Sequence, residues 1–367
     1  MMVGKVTVAV SGGVDSSTAM MLLKEQGYDV VAIHMKLWDY SDVGGDSHQD
    51  GRCCSIESIN NLRAICDSSS IPFYVLDFTS DFRNIVIENF VSEYRRGRTP
   101  NPCILCNTHL KWSGLLSKAM QFGCDFIATG HYAIINFDDK SMRYLIRKGL
   151  DATRDQSYAL WGLSQEALSQ TLLPNGKYRK SEIRELASGL GLRTAKTPES
   201  QDICFVADND YHRFLKEWEG KRGRGFRPGK IVNTKGEVIG EHRGIAFYTV
   251  GQRKGLGITH PTPLYVKSID AVSDTVIVGE DADLFSSKMT VRGVNWIALD
   301  HPQTQFKADL KIRYLHDLGS ATVVPVNNDT VEVIFDIPQR AITPGQSAVF
   351  YDTDVVLGGG IIDSAKN

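Results

Sequence analysis

Between residues 5 and 133 the chain alternates short apolar runs with longer amphipathic stretches. KVTVAV (5–10), DVVAIHMKL (29–37), FYVLDF (73–78) and FIATGHYA (126–133) read as strands. The stretches 15–26, 56–66, 82–94 and 110–122 repeat apolar residues at helical spacing, and Gly27 stops the first of them. Strands alternating with helices predict an α/β fold, a doubly wound parallel sheet with right-handed crossovers. Such sheets bind ligands beyond the carboxyl ends of their strands.

From 155 to 191 the pattern becomes mainly helical, clearest in SQEALSQTLL and KSEIRELASGLG. Between Gly220 and Gly257, glycine and positive charge crowd together in GKRGRGFRPGK and GQRKGLG, which marks a boundary and a small separate module. After Pro263 the grammar changes. LYVKSID, DTVIVG, MTVRGVNW, ADLKIRY, ATVVPV, VEVIFD and SAVFYD are short strands with turns between them, the pattern of a β-barrel or sandwich. The expected division is 1–207, 208–270 and 271–367.

Composition narrows the class. The chain has 367 residues, 42% apolar and 23% charged, which excludes a mainly disordered protein. With 41 Lys+Arg against 43 Asp+Glu, it is no wholly basic coat protein. Residues 211–230 nevertheless hold seven Lys and Arg against two Glu, a local charge of +5. Tyr211, Phe214, Trp218 and Phe226 interleave with them, and such aromatics either stack on bases or pack a small core. Seven cysteines, an odd number at irregular spacing, do not form a secreted disulfide framework. The N-terminus MMVGKVTVAVSGG carries no apolar leader, and no run approaches the roughly 20 apolar residues of a membrane span. A cytoplasmic protein without a membrane partner is the expectation.

The strongest local signal is AVSGGVDSS: Ala9, Val10, Ser11, Gly12, Gly13, Val14, Asp15, Ser16 and Ser17. It sits between a strand and a helix. Glycines let the backbone approach a ligand, serines donate, and the helix aims free N–H groups at the loop. An anion suits this arrangement, most simply a phosphate chain. Neither G-x-x-x-x-G-K-[ST] nor G-x-G-x-x-G describes it. A Gly-rich turn capped by Ser and Asp is the plain alternative. SGGVDSS resembles the pyrophosphate-binding loop of the ATP pyrophosphatase (PP-loop) superfamily, whose members adenylate a carbonyl oxygen and release pyrophosphate.

Two more segments narrow the choice. TPNPCILCN (99–107) holds Cys103 and Cys106 in what reads as a loop shaped by Pro100 and Pro102, and TPESQDICF (197–205) holds Cys204. A Cys-x-x-Cys pair alone fits zinc, redox or iron–sulfur chemistry, or mere burial. Cys53, Cys54, Cys66 and Cys124 read as packing residues. With ATGHYA (128–133), RDQSYAL (154–160), TVGQRKGLG (249–257), IRY (312–314) and PGQ (344–346) in the same order, the chain resembles the tRNA-specific 2-thiouridylases, the MnmA/TrmU family, almost end to end.

That resemblance implies a tRNA-uridine 2-sulfurtransferase. ATP and Mg²⁺ would adenylate O2 of a wobble uridine, and sulfur would replace it, leaving 2-thiouridine, AMP and pyrophosphate. It implies a PP-loop catalytic domain, a small tRNA-binding module and a C-terminal β-barrel like those of translation factors. Residues 9–17 with Met35 and Gly130 would bind ATP. Asn101, Pro102 and Cys103 would lie beside the target base, and His131, Arg154, Asp155, Gln156, Arg313, Tyr314 and Gln346 would contact tRNA. Cys204 would carry a persulfide supplied by a cysteine desulfurase or sulfur-relay protein. Cys106 would be the nucleophile that helps release sulfide or forms a disulfide afterwards.

The chain departs from the family at Cys103, where members commonly carry Asp, which puts the acid/base role of that position in doubt. Cys103, Cys106 and Cys204 could instead hold a [4Fe–4S] cluster with an open iron, the runner-up for the sulfur step. Two other readings stand apart: an AMP-forming PP-loop ligase of a small molecule, which leaves the cysteines idle, and a non-catalytic RNA-binding zinc protein, which leaves the phosphate loop idle.

Overall fold

The computed structural model describes residues 3–39, 43–44, 56–192, 194, 203–206 and 208–366. Its contacts divide into two compact units. One holds residues 1–86, 103–210 and 354–356; the other holds 87–102, 211–353 and 357–367. No helix among the described residues is long and apolar enough to cross a membrane.

The first unit is built on five parallel strands: β1 (Lys5–Ala9), β2 (Asp29–Lys36), β3 (Phe73–Asp77), β4 (Phe126–Ala128) and β7 (Thr171–Leu172). They lie in the order β3-β2-β1-β4-β7. Register is direct, with Lys5 opposite Asp29, Ala9 opposite Ile33 and Val6 opposite Phe126. Val6, Val8, Ala32 and Ala128 are fully buried. Helix α1 (Val14–Glu25) packs on them through Met20 and Leu23, joined by Leu62 of helix Ile56–Ser68 and Ile183 and Ala187 of helix Lys180–Gly189. Strands covered by helices read as continuous apolar runs because both of their faces are buried.

Two expectations for this unit are corrected. FIATGHYA is not one strand: β4 stops at Ala128, and a turn precedes β5 (Ala133–Asp138), which forms a hairpin with β6 (Arg143–Lys148). SQEALSQTLL is helical only over Gln165–Ser169, after which Thr171 and Leu172 join the sheet beside β4. The region 82–94 is helical as expected, with a π segment at Arg83–Ile87.

The second unit contains two all-β bodies. β8 (Gly229–Val232), β9 (Val238–His242), β10 (Tyr265–Asp270) and β11 (Thr275–Gly279) form a sheet in the order β10-β11-β8-β9. Strand grammar placed LYVKSID and DTVIVG with the later strands. They pair here instead, with Thr275 opposite Lys230 in a parallel bridge, so the small sheet runs past residue 270. The other body comprises β12 (Phe285–Trp296), β13 (Phe306–Lys311), β14 (Gly319–Pro325), β15 (Thr330–Arg340), β16 (Ser347–Asp352) and β17 (Val355–Lys366). β12 pairs with both β15 and β17, which closes a barrel around Val291, Leu310, Val323, Val333 and Phe350. Closure removes the exposed sheet edges that short strands otherwise leave.

Candidate functional site

The phosphate loop is held by its own side chains. Val10 N–H still donates to the Ile33 carbonyl at 2.9 Å, continuing the β1–β2 ladder. Gly12 then takes φ +87°, and a Cβ on it would lie 2.9 Å from the Ser58 Cβ. Ser11 N–H donates to Ser16 Oγ (3.1 Å), while the Ser16 and Ser17 hydroxyls donate to the Gly13 carbonyl (3.2 and 3.1 Å). Gly13 caps α1 with no side-chain hydrogen bond. First-turn amides at the positive end of the helix dipole therefore face the loop, which favours an anion there.

An open cleft of about 720 Å³ lies at the carboxyl ends of β1, β2 and β4. The strand order turns back between β1 and β4, so this is the topological switch point. Ala9, Val10, Ser11, Asp15, Ser16, Met35 and Gly130, from the set that the resemblance assigns to ATP, line it, and His131 and Gln156, which it assigns to tRNA, line the same cleft. Gly130 is dictated by sterics: a Cβ would fall 2.7 Å from the Asp15 carbonyl carbon and the Ser16 nitrogen. Asn175 fixes this approach by donating to the Asp15 and Gly130 carbonyls at 2.9 and 3.2 Å. In the cleft wall, His34 donates to the Val10 carbonyl through Nδ1 at 3.0 Å, and its Nε2 is buried without a partner among the described residues.

Sequence reasoning missed the cations of this region. Lys180 Nζ grips both oxygens of Asp15 at 2.7 and 2.8 Å, and Tyr132 donates its hydroxyl to the same carboxylate at 2.6 Å. Asp15 is thus committed to protein partners. Lys111 also lines the cleft, and its ammonium is held by Asn107 Oδ1 at 2.8 Å. Asn107 in turn donates to the Ala159 carbonyl at 3.0 Å. His131 Nδ1 lies 2.6 Å from Thr129 Oγ1, and burial, aided by the Lys111 charge, holds the imidazole well below its usual pKa. It is therefore neutral at pH 7. Spacing hinted at Lys111, four residues after Asn107, but nothing in the pattern set it apart from a surface lysine.

The cysteine segment is not a loop. Pro102 opens a helix through Leu105, which continues as a π-helix over Cys106–Leu115 and an α-helix over Leu116–Gln121. Proline serves at a helix start, where its missing N–H has no partner to lose. Cys103 stays exposed and Cys106 is buried. Crowding raises the Cys103 thiol pKa while the Lys111 charge opposes it, and its solvent contact limits the effect of the crowding. Cys204 is half-buried in a turn, and the next residue, Phe205, sets its ring edge-on to Phe82 at 5.6 Å. Cys66 and Cys124 are packed as expected, burial pushing the Cys66 thiol up to about 11. Cys53 and Cys54 lie outside the described residues. No group of three Cys, His, Asp or Glu side chains is placed to hold a metal among the described residues, so Cys103, Cys106 and Cys204 do not form a ready cluster site there.

Residues expected at tRNA fare unevenly. Asn101 and Arg154 are half-buried. Asp155 is 5% exposed, and its carboxylate accepts from Gly149 N–H, Ser157 N–H and Ser157 Oγ at 3.1, 3.1 and 2.9 Å. It organises the turn before Gln156, whose Oε1 accepts the Tyr132 N–H at 3.0 Å. Arg313 and Tyr314 follow β13, with Tyr314 and Leu315 exposed. Gln346 donates its amide to the carbonyls of Thr99 and Pro100 at 2.9 and 3.3 Å.

In the basic stretch, Phe214 and Trp218 are buried in helix Tyr211–Gly220, so they pack a core rather than stack on bases. Arg222 lies 4.0 Å above the Trp218 ring, and Arg95 pairs with buried Glu219. Lys221, Arg224, Arg227 and Lys230 are exposed.

Three family models match the chain: the tRNA methyl transferase HUP domain over residues 4–208, the tRNA methyl transferase PRC-barrel domain over 214–280, and the aminomethyltransferase β-barrel domain over 286–362. The chain is 46% identical to the tRNA-specific 2-thiouridylase MnmA of Clostridioides difficile (strain 630), covering 98% of both chains. It is 48% identical to the protein of the same name from Symbiobacterium thermophilum, covering 99% of this chain and 93% of that one.

Proposed function

Because the chain belongs to the family of tRNA-specific 2-thiouridylases, we propose that it exchanges O2 of a wobble uridine in tRNA for sulfur at the cleft of its parallel sheet. One observation carries this reading most: the helix that bears Cys103 and Cys106 also sets Lys111 into the cleft that the phosphate loop lines. Nucleotide chemistry and thiol chemistry thereby meet on one element.

Oxide is a poor leaving group, and ATP supplies an adenylate that leaves readily. The α1 amides with Ser11 and Ser16 would cradle the phosphates, with Gly130 permitting the close approach. Mg²⁺ would be held through phosphate oxygens and water, the usual habit of this ion. Asn101 and Cys103 would flank the extruded base, and base extrusion favours an enzyme that grips stem and loop together. The exposed cations of the 211–230 stretch and Arg313 and Tyr314 would contact the RNA backbone.

For the sulfur step, Cys204 would receive sulfane sulfur from a desulfurase or relay protein. The terminal persulfide sulfur attacks C2 and displaces AMP. The Cys106 thiolate then attacks Cys204 Sγ, breaking the sulfur–sulfur bond to the uridine. A Cys106–Cys204 disulfide and 2-thiouridine result, and an external dithiol returns two electrons. The three-thiolate cluster does not fit the described residues, and no step is routed through it. We also propose a three-part division into a nucleotide domain, a small module and a barrel, with the small module extended through β11.

The test is thiolation of an unmodified tRNA transcript with ATP and a desulfurase, followed by nucleoside mass spectrometry. An oxygen-to-sulfur mass gain at the wobble uridine, matched by AMP and lost in Cys204→Ala, is expected. No 2-thiouridine with any sulfur donor overturns the proposal, and a methyl mass gain would point to the chemistry named in the family models.

A further inference from the structure

Resting on the adenylation reading, we propose that Lys111 is the cationic clamp of the adenylation step, stabilising the charge that builds on the α-phosphoryl group as the uridine oxygen attacks. Lys111 lines the same cleft as Ser11, Ser16 and Gly130. It is preorganised: Asn107 Oδ1 accepts from its ammonium at 2.8 Å, and Asn107 is itself tied to the Ala159 carbonyl at 3.0 Å. A fixed cation costs no reorganisation at the moment of reaction, which makes it effective on transition-state charge. The other cation near the loop, Lys180, is occupied by both oxygens of Asp15. Lys111 is bound to a neutral amide, so its charge is not cancelled by that partner.

In the step, the bond from uridine O2 to the α-phosphorus forms while the bond from that phosphorus to the bridging oxygen breaks. Pyrophosphate leaves with the electron pair, and the uracil N3 proton passes to water. Lys111 donates no proton; it acts by charge. His131 beside it is neutral, held so by burial and by this same lysine, and adds no second positive charge to the cleft.

Pyrophosphate release dependent on tRNA and ATP binding would be measured for full-length wild type, Lys111→Met and Lys111→Arg, with the His131 titration followed by NMR. Lys111→Met should lower kcat for pyrophosphate release at least about 100-fold with the ATP KM changed less than about threefold, the signature of transition-state stabilisation. Lys111→Arg should recover at least a tenth of the rate, and the His131 pKa should rise in Lys111→Met but not in Lys111→Arg. A wild-type rate in Lys111→Met, or equal losses in both variants with the His131 pKa unmoved, overturns the clamp. Failure of wild type itself to release pyrophosphate with tRNA would sink the adenylation reading instead, so the two failures are distinct.

Discussion

The cleft at β1 and the turn at residues 344–346 are both short glycine-bearing segments in close contact with neighbouring backbone, yet they use their polar groups in opposite ways. At the cleft, Gly13 caps α1 without a side chain, and His34 Nε2 is left unpartnered among the described residues. At the turn, the Pro344 carbonyl accepts the Thr99 N–H at 2.8 Å, and the Gln346 amide donates to Thr99 and Pro100. Polar groups held open mark a place for a ligand; polar groups satisfied by protein mark scaffold. By that criterion the turn works as a brace on the strand of chain that leads into the cysteine helix.

Gly130→Ala challenges the comparison most. Its Cβ would meet the backbone of Asp15 and Ser16, which cannot give way as a flexible side chain would. We expect a loss of about 1–3 kcal/mol of stability from overpacking, read as a lower urea midpoint, and ATP affinity reduced at least tenfold in calorimetry. Unchanged ATP binding would mean that the loop is not the nucleotide site.

Next is the ion pair under the loop. Lys180→Met leaves the Asp15 carboxylate facing an anion-binding cleft. Asp15 is about one-third exposed, so the expected cost is only about 1–2 kcal/mol, discounted from a fully buried pair. ATP affinity should fall, and adding Asp15→Asn should restore much of it. A double variant no better than the single would show that the pair shapes the loop rather than its charge.

The smallest effect is expected at the turn. Gln346→Ala removes two side-chain hydrogen bonds and should cost about 0.5–1.5 kcal/mol, with ATP binding unaltered. If instead tRNA affinity alone falls and stability holds, the glutamine serves the RNA directly and the distinction between open and satisfied polar groups fails there.

Much of this was legible along the chain. Apolar runs located β1, β2 and β3; β1 and β2 are buried on both faces and cannot disguise themselves, whereas β3 lies at the sheet edge with Tyr74 and Val75 exposed. The loop was legible because serine and glycine at those spacings suit few other tasks. The cysteine segment was misread because two prolines suggest irregular backbone, while Pro102 in fact sits where a helix can begin. The burial of Asp155 was not legible because a carboxylate carries no mark of burial in sequence, and only its three internal donors reveal it.

Sequence alone determined the alternation of strands and helices in the first half, the Ser/Gly-rich loop between β1 and α1, and the family, all properties of residues near one another or of whole-chain likeness. The tertiary structure decided the rest. It chose which lysine neutralises Asp15 and which faces the cleft, it enrolled Thr171 in the sheet, and it buried Trp218. Each of these depends on contacts between residues far apart in the chain, where packing and charge compensation act and local pattern does not reach.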